Sequence, residues 1–239
     1  MTQFSKQQIG ILQDSAIAVL ARKQRHHQAV FFIPYCLQKS CSHPVISTLA
    51  MPKALDLIVP ASHIPPRKKQ DPFVNARLFE WFGISPELLN YDYKFFKGKI
   101  PINAQHPLYV CACKKSYAKK LVQDYKAQKI NITALTTLSH ALFRLLCYVF
   151  ANNPNTLALF YTHDHYSYLL VIKECNWLYL NTIANLSFNQ APPLQPWLDE
   201  AQACCGEKNI ILISPTELAE KLKLSPEQLP AAGAALWRY

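Results

Sequence analysis

Glycine is scarce in this chain, with only 5 among 239 residues. These glycines, at positions 10, 83, 98, 206 and 233, all lie more than ten residues apart. Loops that wrap phosphate need several closely spaced glycines, because only glycine lets successive backbone N–H groups approach the ligand closely. The sequence therefore excludes a glycine-rich phosphate loop.

Long uninterrupted apolar runs are also missing. The best candidate for a membrane span, residues 132–151, contains His140 and Arg144, and an arginine near the centre of a span costs about 2.5–3.5 kcal/mol. Its leucines recur at helical spacing, which is typical of an amphipathic helix in a folded domain. The first residues lack a signal-peptide pattern, so we expect a cytoplasmic chain whose eight cysteines stay reduced.

Acidic residues are few and unevenly placed. Residues 1–129 hold 19 Lys and Arg against 7 Asp and Glu, for a net charge of +12, while residues 130–239 hold 6 against 8, for −2. This imbalance is compatible with an anionic neighbour and keeps nucleic-acid binding open as an alternative. The aromatic residues, however, alternate within apolar strands instead of standing among the basic ones, and no nucleic-acid-binding motif is present. We therefore consider nucleic acid an unlikely partner.

Apolar periodicity predicts two successive sets of elements with the order strand, strand, strand, helix, strand. The first set has strands at 8–13, 16–22, 28–34 and 55–60 and a helix around 44–50. The second has strands at 157–162, 167–173, 177–183 and 209–213 and a helix at 196–205. Repetition of one order predicts a duplicated α/β core of two like subdomains.

The sequence pattern of residues 71–129, between the two sets, predicts a small α/β insert. It has a helix at 73–82 that follows Asp71-Pro72 and ends at Gly83, strands at 91–96 and 109–113, and a helix at 114–128. The predicted subdomains are thus 1–70 with 130–153, the insert 71–129, and 154–239. Ser214 and Ser225 fit helix N-caps followed by proline, so two helices should close the chain.

Several short segments, in this order and spacing, resemble one family. They are Gln-Ile-Gly-Ile at 8–11, Ala-Val-Leu at 18–20, Leu-Ile-Val-Pro-Ala-Ser at 57–62, Ile-Ser-Pro-Glu-Leu-Leu-Asn-Tyr-Asp-Tyr at 84–93, Val-Cys-Ala-Cys-Lys-Lys at 110–115 and Ala-Ala-Gly-Ala-Ala-Leu at 231–236. Over nearly its full length the chain resembles the PilM-type pilus-assembly proteins, in the short variant named HofM in pilus operons and ComA in competence operons.

This resemblance implies an actin-like fold close to that of FtsA, with a duplicated core and an insert in the first half. The second insert of larger relatives should be missing or vestigial, because only about eleven residues, 183–193, separate strand from helix. The resemblance also implies a non-enzymatic cytoplasmic scaffold, peripheral to the inner membrane, in a type IV pilus or DNA-uptake platform. Its partner would be the short cytoplasmic tail of a PilN-like single-span protein.

An actin-like nucleotide site needs an Asp-x-Gly turn in each half and a glycine pair near the adenosine. In this chain, Leu12 and Asp14 stand at the Asp and Gly positions of the first turn. Tyr161 and His163 stand at the Asp and Gly positions of the second turn. The glycine pair falls on Ser214 and Pro215. We therefore expect no bound ATP and no ATPase activity, although several family members bind ATP, and an ATPase remains the weakest alternative.

The family seats the partner's extended tail in a groove between the first core subdomain and the insert. Tyr91, Tyr93, Phe95 and Phe96 are the candidate tail-binding residues, and an equally plausible interpretation is that they only pack the insert's core. Arg67, Lys68 and Lys69 are candidates for contact with anionic lipid.

No catalytic residues or metal ligands are predicted. His163-Asp164-His165 has no further ligand at a diagnostic spacing and indicates an exposed turn.

Overall fold

The computed structural model describes residues 4–13, 15, 17–24, 29–36, 43–97, 99–100, 103–185 and 193–236. The strands are β1 (Phe4–Leu12), β2 (Ala18–Gln24), β3 (Val30–Tyr35), β4 (Val45–Leu49), β5 (Ala54–Ala61), β6 (Leu89–Phe95), β7 (His106–Lys114), β8 (Ile132–Thr137), β9 (Thr156–His163), β10 (Tyr166–Lys173), β11 (Asn176–Ala184) and β12 (Ile210–Ile213). The helices are α1 (Arg67–Asn75), α2 (Leu78–Phe82), α3 (Lys115–Ala127), α4 (Leu138–Val149), α5 (Leu194–Cys205), α6 (Pro215–Leu222) and α7 (Leu229–Ala235). Short 3₁₀ turns at Pro86–Leu88 and Pro226–Gln228 precede β6 and α7.

The chain divides into two compact units. The first comprises Met1–Met51, Lys119–Ala151 and Ser214–Tyr239, and the second comprises Pro52–Ala118 and Asn152–Ile213.

The first unit is built on a five-stranded sheet in the order β3-β2-β1-β4-β8. Strands β1, β2 and β3 form an antiparallel meander, and β4 runs parallel to both β1 and β8. Helices α4 and α7 cover one face of this sheet. A Cβ atom at Gly10 would overlap the carbonyl group of Ala231, and one at Gly233 would overlap that of Ala141. The two glycines therefore let α7 lie directly against β1 and α4.

The opposite face of the first sheet is apolar at its centre. Ile9, Ile11 and Leu20 are buried there, and Tyr35 of β3 and Tyr125 of α3 pack against them. Side chains of a strand alternate between faces, so Phe31 and Ile33 of β3 lie on the same face as Tyr35.

The second unit contains a three-stranded antiparallel sheet in the order β5-β7-β6. Its core is formed by Val74 of α1, Leu78 of α2 and Leu108 and Val110 of β7. Gly83 ends α2 in the left-handed conformation, with φ of 64°, as the sequence predicts. Helices α1 and α2 thus form a layer on one face of this sheet.

The second unit also contains a four-stranded sheet in the order β11-β10-β9-β12, with α5 packed on one face through Trp197 and Ala201. Tyr109 of β7 and Trp177 of β11 are both buried and stack with parallel rings, 5.5 Å between centroids. This stack joins the two sheets of the second unit.

One predicted helix is wrong. Residues 44–50 contain β4, all five of whose residues are buried. A parallel strand covered on both faces lacks the alternation of a half-exposed strand. Here Val45, Ile46 and Leu49 after Pro44 are spaced as on one face of a helix and imitate a helix start. Only residues 36–44 separate β3 from β4, fewer than the twelve residues of α5.

The insert differs from the prediction in two ways. Strand β5, expected in the first set, pairs with β7 of the three-stranded sheet. The predicted helix 73–82 is two helices, and Pro72 lies inside α1 instead of starting it. The predicted boundaries at 70, 129 and 153 stay a prediction, and the compact units divide the chain differently.

The duplication itself is visible in the strand order. The order β3-β2-β1-β4 corresponds to β11-β10-β9-β12, each an antiparallel meander whose first strand pairs with a parallel fourth strand. This confirms the duplicated α/β fold class with an α/β insert in the first half.

Candidate functional site

The first nucleotide turn of an actin-like site would follow β1. Leu12 ends this strand with its side chain 1% exposed. Its N–H donates to the carbonyl of Ile17 (3.1 Å), and its carbonyl accepts the Ser15 hydroxyl proton (2.8 Å). The position expected for a metal-organising carboxylate therefore holds a buried apolar side chain; Asp14 lies outside the described residues.

The second turn would follow β9. Tyr161 is 4% exposed, and His163 ends the strand half-buried, with Nε2 3.4 Å from Oδ2 of Asp164. Burial lowers the pKa of His163, the carboxylate of Asp164 opposes this shift, and Lys53 adds to it. The net lowering favours the neutral ring, which adds no positive charge for phosphate.

The glycine-pair position begins a helix. The hydroxyl of Ser214 accepts a hydrogen bond from the Glu217 N–H (3.0 Å), and Pro215 occupies the first turn of α6. Ser214 is therefore a helix N-cap, as the sequence predicts. Ser225 likewise starts a capping box with Gln228.

The predicted tail-binding aromatics lie on and just after β6. Tyr91, Tyr93 and Phe95 are partly buried against the core of the three-stranded sheet, while Phe96 is buried and carries the ammonium group of Lys94 4.8 Å above its ring. Phe95 also contacts the ring of Phe73 in α1, with 6.1 Å between centroids. The structure thus brings Tyr91, Tyr93 and Phe95 together as packing residues of the insert, whereas Phe96 is outside that cluster and contacts Lys94.

The predicted membrane-facing residues form the first turn of α1, where Arg67, Lys68 and Lys69 are all exposed. The hydroxyl of Tyr93 donates to Oδ1 of Asp71, also in α1. Burial, then this hydrogen bond, raises the pKa of Tyr93 to about 12. The basic triplet therefore lies on the helix that packs beside the aromatic face of β6.

Strand β6 is an edge strand that pairs only with β7 among the described strands. The N–H of Phe96 donates to the carbonyl of Pro107 in β7 (2.9 Å). Backbone N–H groups of successive residues point to opposite sides of a strand, so the N–H of Tyr93, three residues earlier, points away from β7. That outward N–H is already bound by the carboxylate of Asp92 (2.8 Å). The centre of this edge is therefore closed.

Strand β3 is one of the two edge strands of the first sheet, and no binding residue was predicted on it. Phe31 is 49% and Ile33 39% exposed, on a strand with β2 as its only neighbour in the described structure. The run Val-Phe-Phe-Ile at 30–33 is the sequence signal, because a strand apolar at every position is normally covered on both faces.

The seven described cysteines give no sign of a functional site. They form no disulfide bond. Burial, with the nearby carboxylates of Asp56 and Asp92, raises the pKa of Cys111 to about 12, which keeps it a thiol. Within the described ranges no His, Cys, Asp and Glu residues cluster as metal ligands would.

Comparison with known proteins adds to this geometry. No family model and no curated protein sequence matches the chain. Among solved structures, the PilM–PilN type IV pilus biogenesis complex matches with a TM-score of 0.62 and 12% identity, over 95% of this chain and 97% of that chain. The chain has the PilM fold.

A second solved structure agrees with this result. The cytoplasmic domain of EpsL, an inner-membrane component of the type II secretion system of Vibrio cholerae, matches with a TM-score of 0.52 and 13% identity, over 98% of this chain and 95% of that chain. The actin-like fold class predicted from the PilM resemblance is thereby confirmed. None of the described helices has both the length and the apolar character needed to cross a bilayer.

Proposed function

We propose that this chain is a non-enzymatic cytoplasmic scaffold of a type IV pilus platform at the inner membrane. In this proposal it corresponds to the short HofM- or ComA-like variant, serves DNA uptake, and holds the cytoplasmic tail of a PilN-like single-span protein. The observation that carries the proposal is the likeness to the PilM–PilN complex, which extends over nearly the whole of both chains.

The residues at the nucleotide positions support a scaffold over an ATPase. Metal-bound nucleotide requires carboxylates that organise the cation and its water. Leu12 and Tyr161 place buried side chains without carboxylates at two of these positions, and Ser214-Pro215 forms a helix cap at the third. The proposal therefore includes no ATP cofactor and no catalytic residue.

An open sheet edge supports capture of an extended peptide. An exposed edge strand binds a peptide through main-chain hydrogen bonds, while neighbouring side chains give specificity. An open edge of this kind stands at β3 in the first unit, whereas Asp92 closes the centre of the β6 edge in the second.

The test is calorimetric titration with a synthetic peptide that covers the cytoplasmic tail of the single-span pilus protein encoded beside this chain. We expect binding at micromolar affinity or tighter, and no binding of a scrambled peptide of the same composition. Failure of the tail peptide to bind folded protein overturns the proposal. A rise in melting temperature with Mg-ATP would overturn its non-enzymatic part.

The basic triplet supports an additional contact with anionic lipid. Cations in the first turn of a helix oppose its dipole, typically by 0.3–1 kcal/mol each, and no acidic residue stands in the first turn of α1. Each such cation gains about 1 kcal/mol near an anionic membrane surface. Co-sedimentation with phosphatidylglycerol vesicles should weaken when Arg67, Lys68 and Lys69 are replaced by Gln, but not when Lys119, Lys120 and Lys126 are.

A further inference from the structure

We infer that the outer edge of β3 accepts the partner's tail as an added β-strand centred on Phe32. The identity of the bound peptide rests on the proposed function. The position and register of the added strand are argued from the residues of the first unit alone. Three observations carry the inference: the direction of the backbone groups of β3, the exposed side chains beside them, and the charge around them.

The backbone direction follows from the two hydrogen bonds between Val30 and Tyr148 and from the place of Pro34. The N–H of Val30 donates to the hydroxyl of Tyr148 in α4 (2.7 Å), and that hydroxyl donates back to the Val30 carbonyl (3.3 Å). These groups therefore point away from β2. Alternate residues in an antiparallel strand point the same way, so Phe32 and Pro34 also face outward. Pro34 agrees, because it has no N–H to give to the β2 ladder.

The same contacts limit the open part of the edge. Tyr148 occupies the outward groups of Val30, and Pro34 offers only its carbonyl. Phe32 offers both its N–H and its carbonyl, since no other strand of the described structure pairs at this edge. An added strand can thus make two hydrogen bonds with Phe32 and one with Pro34, which fixes its register within a residue or two.

Apolar side chains flank this short open edge. Phe31 and Ile33 point to the face on which Tyr125 packs, and they remain 49% and 39% exposed. Phe32 points to the other face, where its ring meets Tyr148 edge-on, with 5.8 Å between centroids. A tail with apolar residues at every second position would cover Phe31 and Ile33.

Charge selects a tail that carries carboxylates. In the β2–β3 pairing Arg22 stands opposite Phe31 and Lys23 opposite Val30. The residues of the first unit hold 13 Lys and Arg against 5 Asp and Glu, for a net charge of +8. This charge opposes pairing of β3 with β3 of a second copy and favours an acidic partner.

The experiment uses the full chain and the tail peptide. Phe31→Asp should weaken calorimetric binding at least tenfold, because it replaces the exposed apolar contact with a carboxylate. Ile211→Asp is the matched control, since Ile211 is 44% exposed on the edge strand β12, and it should leave binding unchanged. Circular dichroism and urea unfolding establish that both variants are folded.

A second measurement leaves the protein unaltered. The second set of peptides carries an N-methyl group at one backbone nitrogen at a time. Binding should be lost when the methyl group is on the residue that donates to the Phe32 carbonyl. It should also be lost when the methyl group is two residues away, on the residue that donates to the Pro34 carbonyl. The intervening positions should tolerate the methyl group, because their N–H groups point away from β3.

The outcomes separate the two proposals. If the unmodified peptide does not bind, the proposed function fails and the inference loses its occupant with it. If the peptide binds, but Phe31→Asp and every N-methylated peptide bind equally well, the inference alone is overturned. Sedimentation that shows a dimer abolished by Phe31→Asp would assign this edge to a second copy instead.

Discussion

Strands β3 and β6 are both edge strands rich in aromatic residues, yet they meet their surroundings differently. The outward N–H of Tyr93 in β6 is bound by Asp92, and its hydroxyl is bound by Asp71 of α1. On β3 the outward groups of Phe32 pair with no other described strand, and Phe31 and Ile33 are exposed.

This difference shows that aromatic density alone does not identify a docking edge. A charged side chain over the edge backbone is a common protection against unwanted strand pairing, and β6 has it at its centre. Protection on β3 is confined to its two ends, at Tyr148 and Pro34. What the backbone groups of each edge already contact therefore distinguishes a packing strand from an accepting one.

The largest predicted effect concerns the packing of the sheet that contains β3. Gly10→Val should lower the free energy of unfolding by about 3 kcal/mol or more, because the new side chain would meet the backbone of α7. Gly83→Ala in the second unit is the control: no atom of the described residues lies within 4 Å of the place a Cβ would take there, so only the left-handed φ opposes it, at about 1 kcal/mol. Urea unfolding measures both, and equal effects would contradict the close packing of α7 on β1.

Tyr148→Phe sharpens the comparison at one end of β3. It removes the hydroxyl that serves both backbone groups of Val30, so stability should fall by about 1 kcal/mol. Amide hydrogen exchange at Val30 should become faster, while exchange at Tyr93 stays unchanged. Unaltered exchange at Val30 would show that its N–H does not depend on Tyr148.

Much of the fold was predictable from sequence because its signals are local. The meander 157–183 consists of short apolar runs separated by polar turn residues, Ser214 and Ser225 are followed by proline, and Gly83 follows an apolar turn. The helix predicted at 44–50 is a strand, and the strand predicted at 55–60 forms but joins another sheet than expected. Whether an apolar segment becomes a strand, and which sheet it joins, is decided by distant partners such as β8 and β7. Sheet membership is thus the part of the fold that local pattern cannot give.

The site was less predictable than the fold. The residues expected at the nucleotide turns could be proposed by comparison with a known pattern, but Phe31 and Ile33 could not. Their exposure depends on β3 being an edge strand of its sheet, and the closed end of that edge at Val30 depends on Tyr148, 118 residues away in sequence. Neither fact is encoded in the segment 30–35 itself.

Asp92→Ala tests the closed edge directly. It removes the carboxylate that accepts the Tyr93 N–H, a contact at the exposed edge, so we expect a stability loss of at most about 1 kcal/mol. Amide exchange at Tyr93 should accelerate while that at Val30 does not. Asn90→Ala, on the same face of β6, is the control and should leave both amides unaffected. If Asp92→Ala also created a second binding site for the tail peptide, the carboxylate of Asp92 would account for the difference in peptide binding between β6 and β3.

The smallest expected effect concerns the hydroxyl of Tyr93. Burial, then the hydrogen bond to Asp71, raises its pKa to about 12 from an ordinary value near 10. The neutral phenol is thus favoured in the folded state, so its contribution to stability is complete below pH 10 and is lost as pH rises from 10 to 12. Ultraviolet titration of the native chain against Tyr93→Phe isolates this group from the other eleven tyrosines. Asp71→Asn should bring the Tyr93 pKa down part of the way and leave it above 10, because burial remains. An unshifted titration in Asp71→Asn would mean that α1 does not hold β6 through this bond, and the aromatic face of β6 would then be as available to a partner as that of β3.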